Sequence, residues 1–276
     1  MKQLFFGTAG IPISAKGLGT VEGIEEVRNL GLDAMELEFV RNINITKQRA
    51  PAVKEAAEKN NIILTCHAPY FINLNSADKK KLKASIDRIL NSARIANLCG
   101  AYSVCFHPGF YMKEDKEKVF NKIKTNIKEI IKILKKENNK IWIRPETTGK
   151  ESQFGSLNEL IEISNEVEQV LPCVDFSHLH ARSNGKFNSE DEFKEILTLI
   201  EKKLGKRALE NMHIHVSGIA YSAKGERHHL NLKESDFKYK ELLKTLKEFK
   251  AKGILISESP NIEGDAILMK KYFNSI

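Results

Sequence analysis

Residues 212–229 read M-H-I-H-V-S-G-I-A-Y-S-A-K-G-E-R-H-H and contain four of the eight histidines of the chain. A short apolar run carries His213 and His215, and a loop of small residues then leads to the sequence E-R-H-H at 226–229. This pattern predicts a β-strand that delivers ligands to a loop. Imidazole and carboxylate groups are ligands for zinc and related divalent ions. The stretch therefore indicates metal binding, and the alternative is a set of histidines that are only hydrogen-bonded at the rim of a barrel.

The rest of the chain repeats a short apolar run followed by an amphipathic helical segment, which is typical of βα units and a parallel sheet. We predict strands at Leu4–Gly7, Ala34–Glu38, Ile62–His67, Ser103–His107, Ile141–Glu146, Cys173–Asp175, Met212–His215 and Ile254–Ser257. The predicted helices include Ser76–Asn97, Lys113–Lys136, Ser156–Val167, Ser189–Lys203 and Glu234–Lys250. Residues 216–232 are predicted to be a long functional loop. These units predict one α/β domain over residues 1–276, a closed (β/α)8 TIM barrel with its active site at the C-terminal face of the strands.

The composition is that of a globular enzyme, with 41% hydrophobic and 29% charged residues in a chain of 276. The N-terminus lacks a signal-peptide core and no apolar run is long enough to span a membrane, so we expect a cytoplasmic protein. The cysteines at 66, 99, 105 and 173 lie in apolar runs without C-x-x-C spacing, which favours buried thiols over disulfides. The net charge of +8 favours a polyanionic partner, although proteins that bind no nucleic acid also carry such charge.

Six consecutive predicted strands end in a histidine or a carboxylate, and the C-terminal ends of barrel strands are where catalytic groups lie. The candidate metal ligands are His67, His107, Glu146, Asp175, His178, His213, Glu226, His228 and Glu258. Carboxylates that converge on one pocket cannot all stay ionised without cations between them. Nine ligands exceed the four that one zinc ion takes, so the set predicts two or three ions. Closely spaced ions are typical of enzymes that displace groups at phosphorus.

At these residues the chain resembles endonuclease IV, the TIM-barrel family of apurinic/apyrimidinic endonucleases, over nearly its whole length. The matching motifs are H-A-P-Y-F-I-N-L at 67–74, F-H-P-G at 106–109, E-T-T-G at 146–149, D-F-S-H at 175–178, M-H at 212–213, E-R-H-H at 226–229 and, more weakly, S-E-S-P at 257–260. The resemblance implies a trinuclear zinc site. One ion would be held by His67, His107 and Glu146, a second by Glu146, Asp175, His213 and Glu258, and a third by His178, Glu226 and His228.

The resemblance also implies the reaction, which is hydrolysis of the phosphodiester 5′ to an abasic site in double-stranded DNA. The products would be a 3′-hydroxyl and a 5′-deoxyribose phosphate. Glu146 and Glu258 would be the catalytic carboxylates, and three Zn²⁺ ions, or Mn²⁺ at some positions, would be the cofactors. We expect a monomer that acts on damaged DNA and has no contact with membranes.

Aromatic and basic residues at the same face are predicted to contact DNA. Tyr70 matches the family's tyrosine that fills the gap beside the flipped-out nucleotide, and the alternative is an ordinary rim aromatic. The family's lesion-probing arginine has two candidate positions here, Arg41 and Asn44. The remaining predicted DNA contacts are Lys150, Arg182, Lys186, Lys224, Arg227 and His229.

Two departures from the family pattern stand out. Glu226 replaces the usual aspartate and is longer by one methylene, and the sequence I-H-V follows His213 where the family has Leu-Asn-Asp. We expect His180 and His215 to orient ligands or to have structural roles. Two other functions stay open: a metal-dependent sugar or sugar-phosphate isomerase or epimerase of the xylose-isomerase-like group, and a non-catalytic DNA-binding or metal-storage protein.

Overall fold

The computed structural model describes residues 1–276 and shows eight parallel strands surrounded by helices. The strands are β1 (Leu4–Ala9), β2 (Ala34–Glu38), β3 (Ile63–His67), β4 (Ser103–Phe106), β5 (Trp142–Pro145), β6 (Cys173–Asp175), β7 (Met212–Val216) and β8 (Gly253–Ser257). Their order is β5-β4-β3-β2-β1-β8-β7-β6. Isolated parallel bridges between Ile143 and Val170 and between Glu146 and Cys173 join the two ends of this sheet. The predicted TIM barrel is therefore confirmed.

Helices connect successive strands on the outside of the barrel. They are α1 (Thr20–Asn29), α2 (Ala50–Asn60), α3 (Lys79–Leu98), α4 (Lys116–Lys136), α5 (Leu157–Glu166), α6 (Glu190–Leu204), α7 (Tyr239–Glu248) and α8 (Glu263–Ser275). Ser156 begins α5 with a capping box to Glu159, as its sequence position predicts. Helix α7 is shorter than expected, because Leu232–Glu234 forms a separate 3-10 turn. None of the helices has the length and apolar character needed to cross a membrane.

Helix α4 illustrates how the strongly basic helices pack on the barrel. Ile123, Ile127 and Ile130 recur at intervals of three and four residues and are buried, so they form one apolar stripe. Lysines such as Lys132 and Lys136 lie on the exposed side. Much of the net positive charge therefore covers the outside of the barrel, away from the strand ends.

The segment 216–232 is not the element-free loop that the sequence predicts. Gly218–Ser222 and Gly225–Leu230 pair as an antiparallel hairpin, with an irregularity after Ala220. Its small residues dilute the period-2 alternation by which a strand is recognised in sequence. The hairpin rests on the loop that follows β5, because a Cβ atom at Gly225, whose φ is 89°, would lie only 2.3 Å from the carbonyl oxygen of Gly149.

The base of the barrel interior is occupied by the buried guanidinium of Arg144. Its Nη2 donates to the carbonyl oxygen of Asn211 at 2.8 Å and to Oδ1 of the same residue at 2.7 Å, and Nη1 donates to Pro172 O at 3.1 Å. Burial lowers the pKa of Arg144 to about 10, which leaves it charged at neutral pH. Most barrels of this type are filled by Val, Ile and Leu, whereas this one also holds a buried charged group at its base, beside an apolar cluster of Ala34, Ile254 and Ile256.

Candidate metal centre

The predicted ligands lie where the strands end, at one mouth of the barrel. His67 and Asp175 are the last residues of β3 and β6, and His107, Glu146 and Glu258 directly follow β4, β5 and β8. Because all barrel strands are parallel, these positions face one another across the mouth. We call this set, with the residues that join it below, the rim cluster.

A first group forms around one oxygen of Glu146. The Nε2 atoms of His67 and His107 each lie 3.2 Å from Glu146 Oε2. Glu146 and His67 are almost completely buried, whereas the side chain of His107 is 24% exposed. An ion at this position could therefore exchange with solvent.

A second group uses the other oxygen of Glu146. His215 Nδ1 lies 3.1 Å from Glu146 Oε1 and 3.4 Å from Glu258 Oε1. Together with Asp175, these four residues offer ligand atoms within 4.8 Å of one another. Glu146 thus faces two groups with its two oxygens, which is the geometry of a bridging carboxylate.

The second group contains His215, whereas the family resemblance implied His213 at this position. Both imidazoles point into the barrel because residues i and i+2 of a strand share a face. His213 pairs in register with Ile254 at the start of β8, whereas His215 pairs with Ile256 near its end. His215 therefore lies at the depth of the rim, and His213 lies one layer below it.

A third group forms where the hairpin meets the short helix Phe176–Arg182. His178, Glu226 and His229 offer ligand atoms within 4.8 Å of one another. His178 Nε2 lies 3.7 Å from Glu226 Oε2 and 3.4 Å from His229 Nε2. The position expected for His228 is taken by His229, because neighbouring residues of a hairpin strand point to opposite faces and His228 is exposed.

Hydrogen bonds orient three of the rim imidazoles in the same way. Nδ1 of His67 donates to Ala68 O at 2.7 Å, and Nδ1 of His178 donates to Thr147 O at 3.0 Å. Nδ1 of His229 donates to Glu258 O at 3.1 Å. Each bond leaves the Nε2 lone pair directed into its group. Metal-binding histidines are commonly held in this way, by a hydrogen bond from the other ring nitrogen.

The electrostatics of the rim also fit bound cations. Burial and neighbouring carboxylates raise the pKa of Asp175 well above its usual value and that of Glu38 to about 8. Burial alone would lower the pKa of His67, but the hydrogen bond to Glu146 and its charge raise it to about 10. Oδ2 of Asp175 is buried without a hydrogen-bond partner. The raised pKa values mean that Asp175, Glu38 and His67 keep protons that reduce the repulsion between the buried carboxylates. Divalent ions could replace these protons.

Besides His215, four residues with metal-binding side chains inside the barrel are absent from the predicted ligand set. They are Glu36, Glu38, Cys105 and Cys173, and all point into the barrel close to the rim. The signal for the two carboxylates was the sequence E-L-E within β2, since alternating residues of a strand share a face. The cysteines carried no such signal, because a buried thiol also occurs as ordinary core filling.

Most of the predicted DNA contacts have exposed or half-buried side chains beside the rim, and Arg182, whose guanidinium bonds to neighbouring segments, is the exception. Arg41, Lys186, Lys224 and Arg227 are exposed, and Lys150 and His229 are half-buried beside the rim. Asn44 is exposed as well. Tyr70 is 51% exposed, and its ring centroid lies 5.2 Å from that of His67.

Arg182 and His180 instead hold neighbouring segments together. Nη1 of Arg182 donates to Thr148 Oγ1 at 2.9 Å and to the carbonyl oxygen of Gln153 at 3.0 Å, so it supports the loop after β5. His180 Nε2 lies 3.2 Å from Asp236 Oδ1 and packs against aromatic rings outside the rim. His180 is therefore structural.

The family of the chain follows from a comparison with protein-family models. A model described as "Xylose isomerase-like TIM barrel" matches residues 24–272. The chain belongs to this family. Members of the xylose isomerase-like TIM-barrel family include metal-dependent enzymes of several reaction types, so membership makes an enzyme the expected class without naming its reaction.

Related sequences and structures include both nucleases and sugar epimerases. An uncharacterised protein of Methanocaldococcus jannaschii is 46% identical over 99% of this chain and 98% of its own length. A probable endonuclease 4 of Mycoplasma pneumoniae is 28% identical over 72% of this chain and 68% of its own length. Endonuclease IV from Thermus thermophilus superposes with a TM-score of 0.75 at 16% identity, covering 98% of this chain and 100% of that one. A D-tagatose 3-epimerase-like protein superposes with a TM-score of 0.74 at 18% identity, covering 97% and 96%.

Proposed function

We propose that this xylose isomerase-like barrel is a metal-dependent phosphodiesterase that cuts DNA on the 5′ side of abasic sites. The observation that carries the proposal is the third ligand group, formed by His178, Glu226 and His229. It adds to the two groups that share Glu146, so the rim has donors for three ions. An isomerase or epimerase of this fold needs fewer ions, and the hairpin that brings in Glu226 and His229 would then have no role. The similarity to sequences named probable endonuclease 4 supports the same choice.

The rim residues have separate tasks in this reaction. Divalent ions, with zinc preferred and Mn²⁺ an acceptable substitute, would supply Lewis-acid activation of water and neutralise charge on the phosphate. Glu146 would fix the distance between the first and second ions, since its Oε2 faces His67 and His107 and its Oε1 faces His215. The carboxylate of Glu258, in the second group, would accept a proton from the attacking water.

Apolar residues on the loops above β2, β3 and β4 form a surface suited to unstacked bases. Val40, Tyr70, Phe71, Phe110 and Met112 are all exposed, and Phe71 and Met112 are more than 60% exposed, at 64% and 62%. The loops are linked, because the backbone nitrogen of Tyr70 donates to the carbonyl oxygen of Val40 at 3.2 Å. Proteins that distort DNA insert apolar side chains between base steps and stack aromatic rings on bases. Such a surface beside a metal centre favours a nucleic-acid substrate.

Exposed basic residues surround the same mouth and would bind the DNA backbone. Arg41 lies after β2, Lys186 lies after the short helix, and Lys224 and Arg227 lie on the hairpin. We propose that these side chains contact phosphates of damaged double-stranded DNA and that a monomer is sufficient. Binding should then weaken as salt concentration rises, because phosphate contacts release counterions.

A keto-sugar epimerase is the second candidate, and one observation favours it. The second group alone, Glu146, Asp175, His215 and Glu258, combines three carboxylates with one imidazole around a single position. This oxygen-rich donor set suits Mn²⁺ or Mg²⁺. A D-tagatose 3-epimerase-like protein and a D-psicose 3-epimerase share the fold.

One preparation tested on both substrate classes separates the candidates. Protein purified without chelator is incubated with an end-labelled duplex that contains one synthetic abasic site, with an intact duplex, and with a set of keto-hexoses. We expect incision of the abasic duplex alone, with a 3′-hydroxyl product, and no incision by Glu258→Gln. Epimerisation of a sugar without incision would establish the second candidate. A product with an unsaturated 3′ sugar would indicate lyase chemistry and contradict the proposal.

A further inference from the structure

Four strands of the barrel carry inward-pointing pairs of residues with metal-binding side chains, at positions i and i+2. The pairs are Glu36 and Glu38 on β2, Cys105 and His107 at the end of β4, Cys173 and Asp175 on β6, and His213 and His215 on β7. The second member of each pair belongs to the mouth of the barrel. The first members form a layer beneath it, and we call Glu36, Cys105, Cys173 and His213 the deep layer.

The deep layer is sealed from solvent, and its donor atoms converge with one nitrogen of His215. Cys105, Cys173, His213 and His215 are all 0% exposed, and their ligand atoms lie within 4.8 Å of one another. His213 Nε2 lies 3.3 Å from His215 Nε2. The same His215 Nε2 lies 3.8 Å from Cys105 Sγ. Two thiols and two imidazole nitrogens therefore converge on one point inside the barrel.

These separations correspond to the edges of a zinc tetrahedron. With a Zn–N bond of about 2.05 Å and a Zn–S bond of about 2.3 Å, two nitrogens lie about 3.3 Å apart and a nitrogen and a sulfur about 3.6 Å apart. The observed separations are 3.3 Å and 3.8 Å. An ion between these two imidazole nitrogens would bind the lone pairs of both.

The surroundings of the deep layer match those of a built metal site. Ser103 Oγ lies 3.1 Å from His213 Nδ1 and can accept a hydrogen bond from the Nδ1–H group, which leaves Nε2 as the ligand atom. Glu36 Oε2 lies 3.1 Å from His213 Nε2, and Glu36 Oε1 lies 2.9 Å from His215 Nε2 but has no hydrogen bond of acceptable geometry. A fully buried carboxylate oxygen without a hydrogen bond is costly unless a cation is nearby.

We propose that Cys105, Cys173, His213 and Nε2 of His215 bind a thiolate-accepting divalent ion, of the class of Zn²⁺, beneath the rim cluster. The two thiolates balance the charge of this ion, and the carboxylate of Glu36 lies beside the two imidazoles. Binding would displace the thiol protons of both cysteines, because the thiolate is the form that binds metal. When Nδ1 of His215 also holds a rim ion, the remaining ring proton would be displaced as well, so that an imidazolate joins the two sites. All of these protons leave to solvent. The ion reaches its site through the mouth of the barrel before the rim is filled.

His215 connects this site to the rim cluster. Its Nε2 faces the deep layer, and its Nδ1 faces Glu146 and Glu258 at 3.1 Å and 3.4 Å. An ion below would therefore hold the His215 ring in the orientation that the second rim group requires. The deep ion is a structural support for the rim and has no access to a substrate.

The test is a cobalt titration of the metal-stripped wild-type protein, followed by absorption spectroscopy. Cobalt bound by thiolates shows an intense sulfur-to-metal charge-transfer band in the near ultraviolet, which oxygen and nitrogen ligands do not produce. We expect the intensity of this band at saturation to correspond to one thiolate-bound cobalt ion per chain, with any further cobalt bound at the rim without adding to the band. A folded, cobalt-saturated wild-type protein without the band would overturn the proposal.

Matched variants locate the site. Cys173→Ser and Cys105→Ser should each weaken or abolish the band and lower the zinc content of the purified protein by about one ion per chain. Cys99→Ser replaces another buried free cysteine, at the end of α3, and should leave both unchanged. Persistence of the full band in both Cys105→Ser and Cys173→Ser contradicts the assignment, as does a Cys105–Cys173 disulfide in protein purified without oxygen. If these variants do not fold, the wild-type spectrum still decides.

A rim variant separates this proposal from the proposed function. Glu258→Gln should lose incision of the abasic duplex and keep the sulfur-to-cobalt band, because Glu258 is a ligand only in the second rim group. If the band is present but no DNA is cut by the wild-type protein, the deep site stands and the proposed reaction fails. If the band is absent while DNA is cut, the proposed reaction stands and the deep site fails.

Discussion

The rim cluster and the deep layer lie two residues apart on the same strands, yet they offer opposite environments to a metal ion. The rim is rich in carboxylates and open to solvent through His107, whose side chain is 24% exposed. The deep layer offers two thiols and the imidazole of His213 beside a single carboxylate, Glu36, all at 0% exposure, and Nε2 of His215 faces it. Two residues of a strand span about 6.6 Å. This short distance is sufficient to change a solvent-exchangeable, oxygen-rich site into a sealed, sulfur-containing one.

The two layers show that depth in the barrel alone can distinguish ions that react with substrate from an ion that only stabilises the site. Ions that activate water must be reached by substrate, so their ligands belong at the strand ends. An ion that only fixes ligand orientation is held better where water is excluded. The following predictions test whether the two layers are independent.

Removal of the rim ions should have the largest effect. Brief treatment with a mild chelator should abolish DNA incision while the sulfur-to-cobalt band of cobalt-loaded protein persists, because solvent reaches the rim beside His107, whereas the deep layer is fully buried. Metal content and the band are measured at intervals during chelation. Simultaneous loss of both would show that the layers do not differ in accessibility.

Glu146→Gln should have the next largest effect, because Glu146 faces both the first and the second rim group. We expect incision to fall by about a hundredfold or more, which is the scale of losing one preorganised electrostatic group. Occupancy of two rim positions should fall together, and the deep ion should remain. Glu151→Gln, an exposed carboxylate on the following loop, is the control and should change neither quantity. A variant that retained all its metal would show that Glu146 is not a shared ligand.

The two adjacent histidines of the hairpin provide a matched pair. His229→Ala should remove the third rim ion and lower incision about tenfold to a hundredfold, because its Nε2 lies 3.4 Å from His178 Nε2. His228→Ala should change incision by less than about twofold, since an exposed side chain away from the group contributes little. Elemental analysis and incision rates are compared for the two variants. The opposite ranking would restore His228 as the ligand and contradict the hairpin geometry.

Tyr70→Ala should have the smallest effect, because it removes stacking but no metal ligand. Loss of one base–aromatic contact costs about 1–3 kcal/mol of binding free energy, so Kd for the abasic duplex should rise roughly tenfold. Tyr70→Phe keeps the ring and should bind like the wild type. Metal content should be unchanged in both. Equal affinity of the wild type and both variants would show that Tyr70 does not contact DNA.

Much of this structure could be predicted from local patterns. Apolar runs that alternate with amphipathic helices predicted the barrel, because each βα unit carries its own periodicity. The strand-end histidines and carboxylates were recognisable for the same reason: the end of an apolar run marks the mouth of the barrel. His67, His107, Glu146, Asp175, His178, Glu226 and Glu258 therefore meet as their positions in the sequence suggested.

Only the tertiary structure decided between neighbouring candidates. His213 and His215 have the same periodicity, and the register of β7 against β8 sets which of them reaches the rim. His229 replaces His228 because 216–232 folds as a hairpin with an irregular register. Cys105 and Cys173 lie far apart in the chain, and nothing local indicates that they meet. Periodicity determines which side of a strand a residue occupies, but its depth and its partners depend on strand pairing across the barrel.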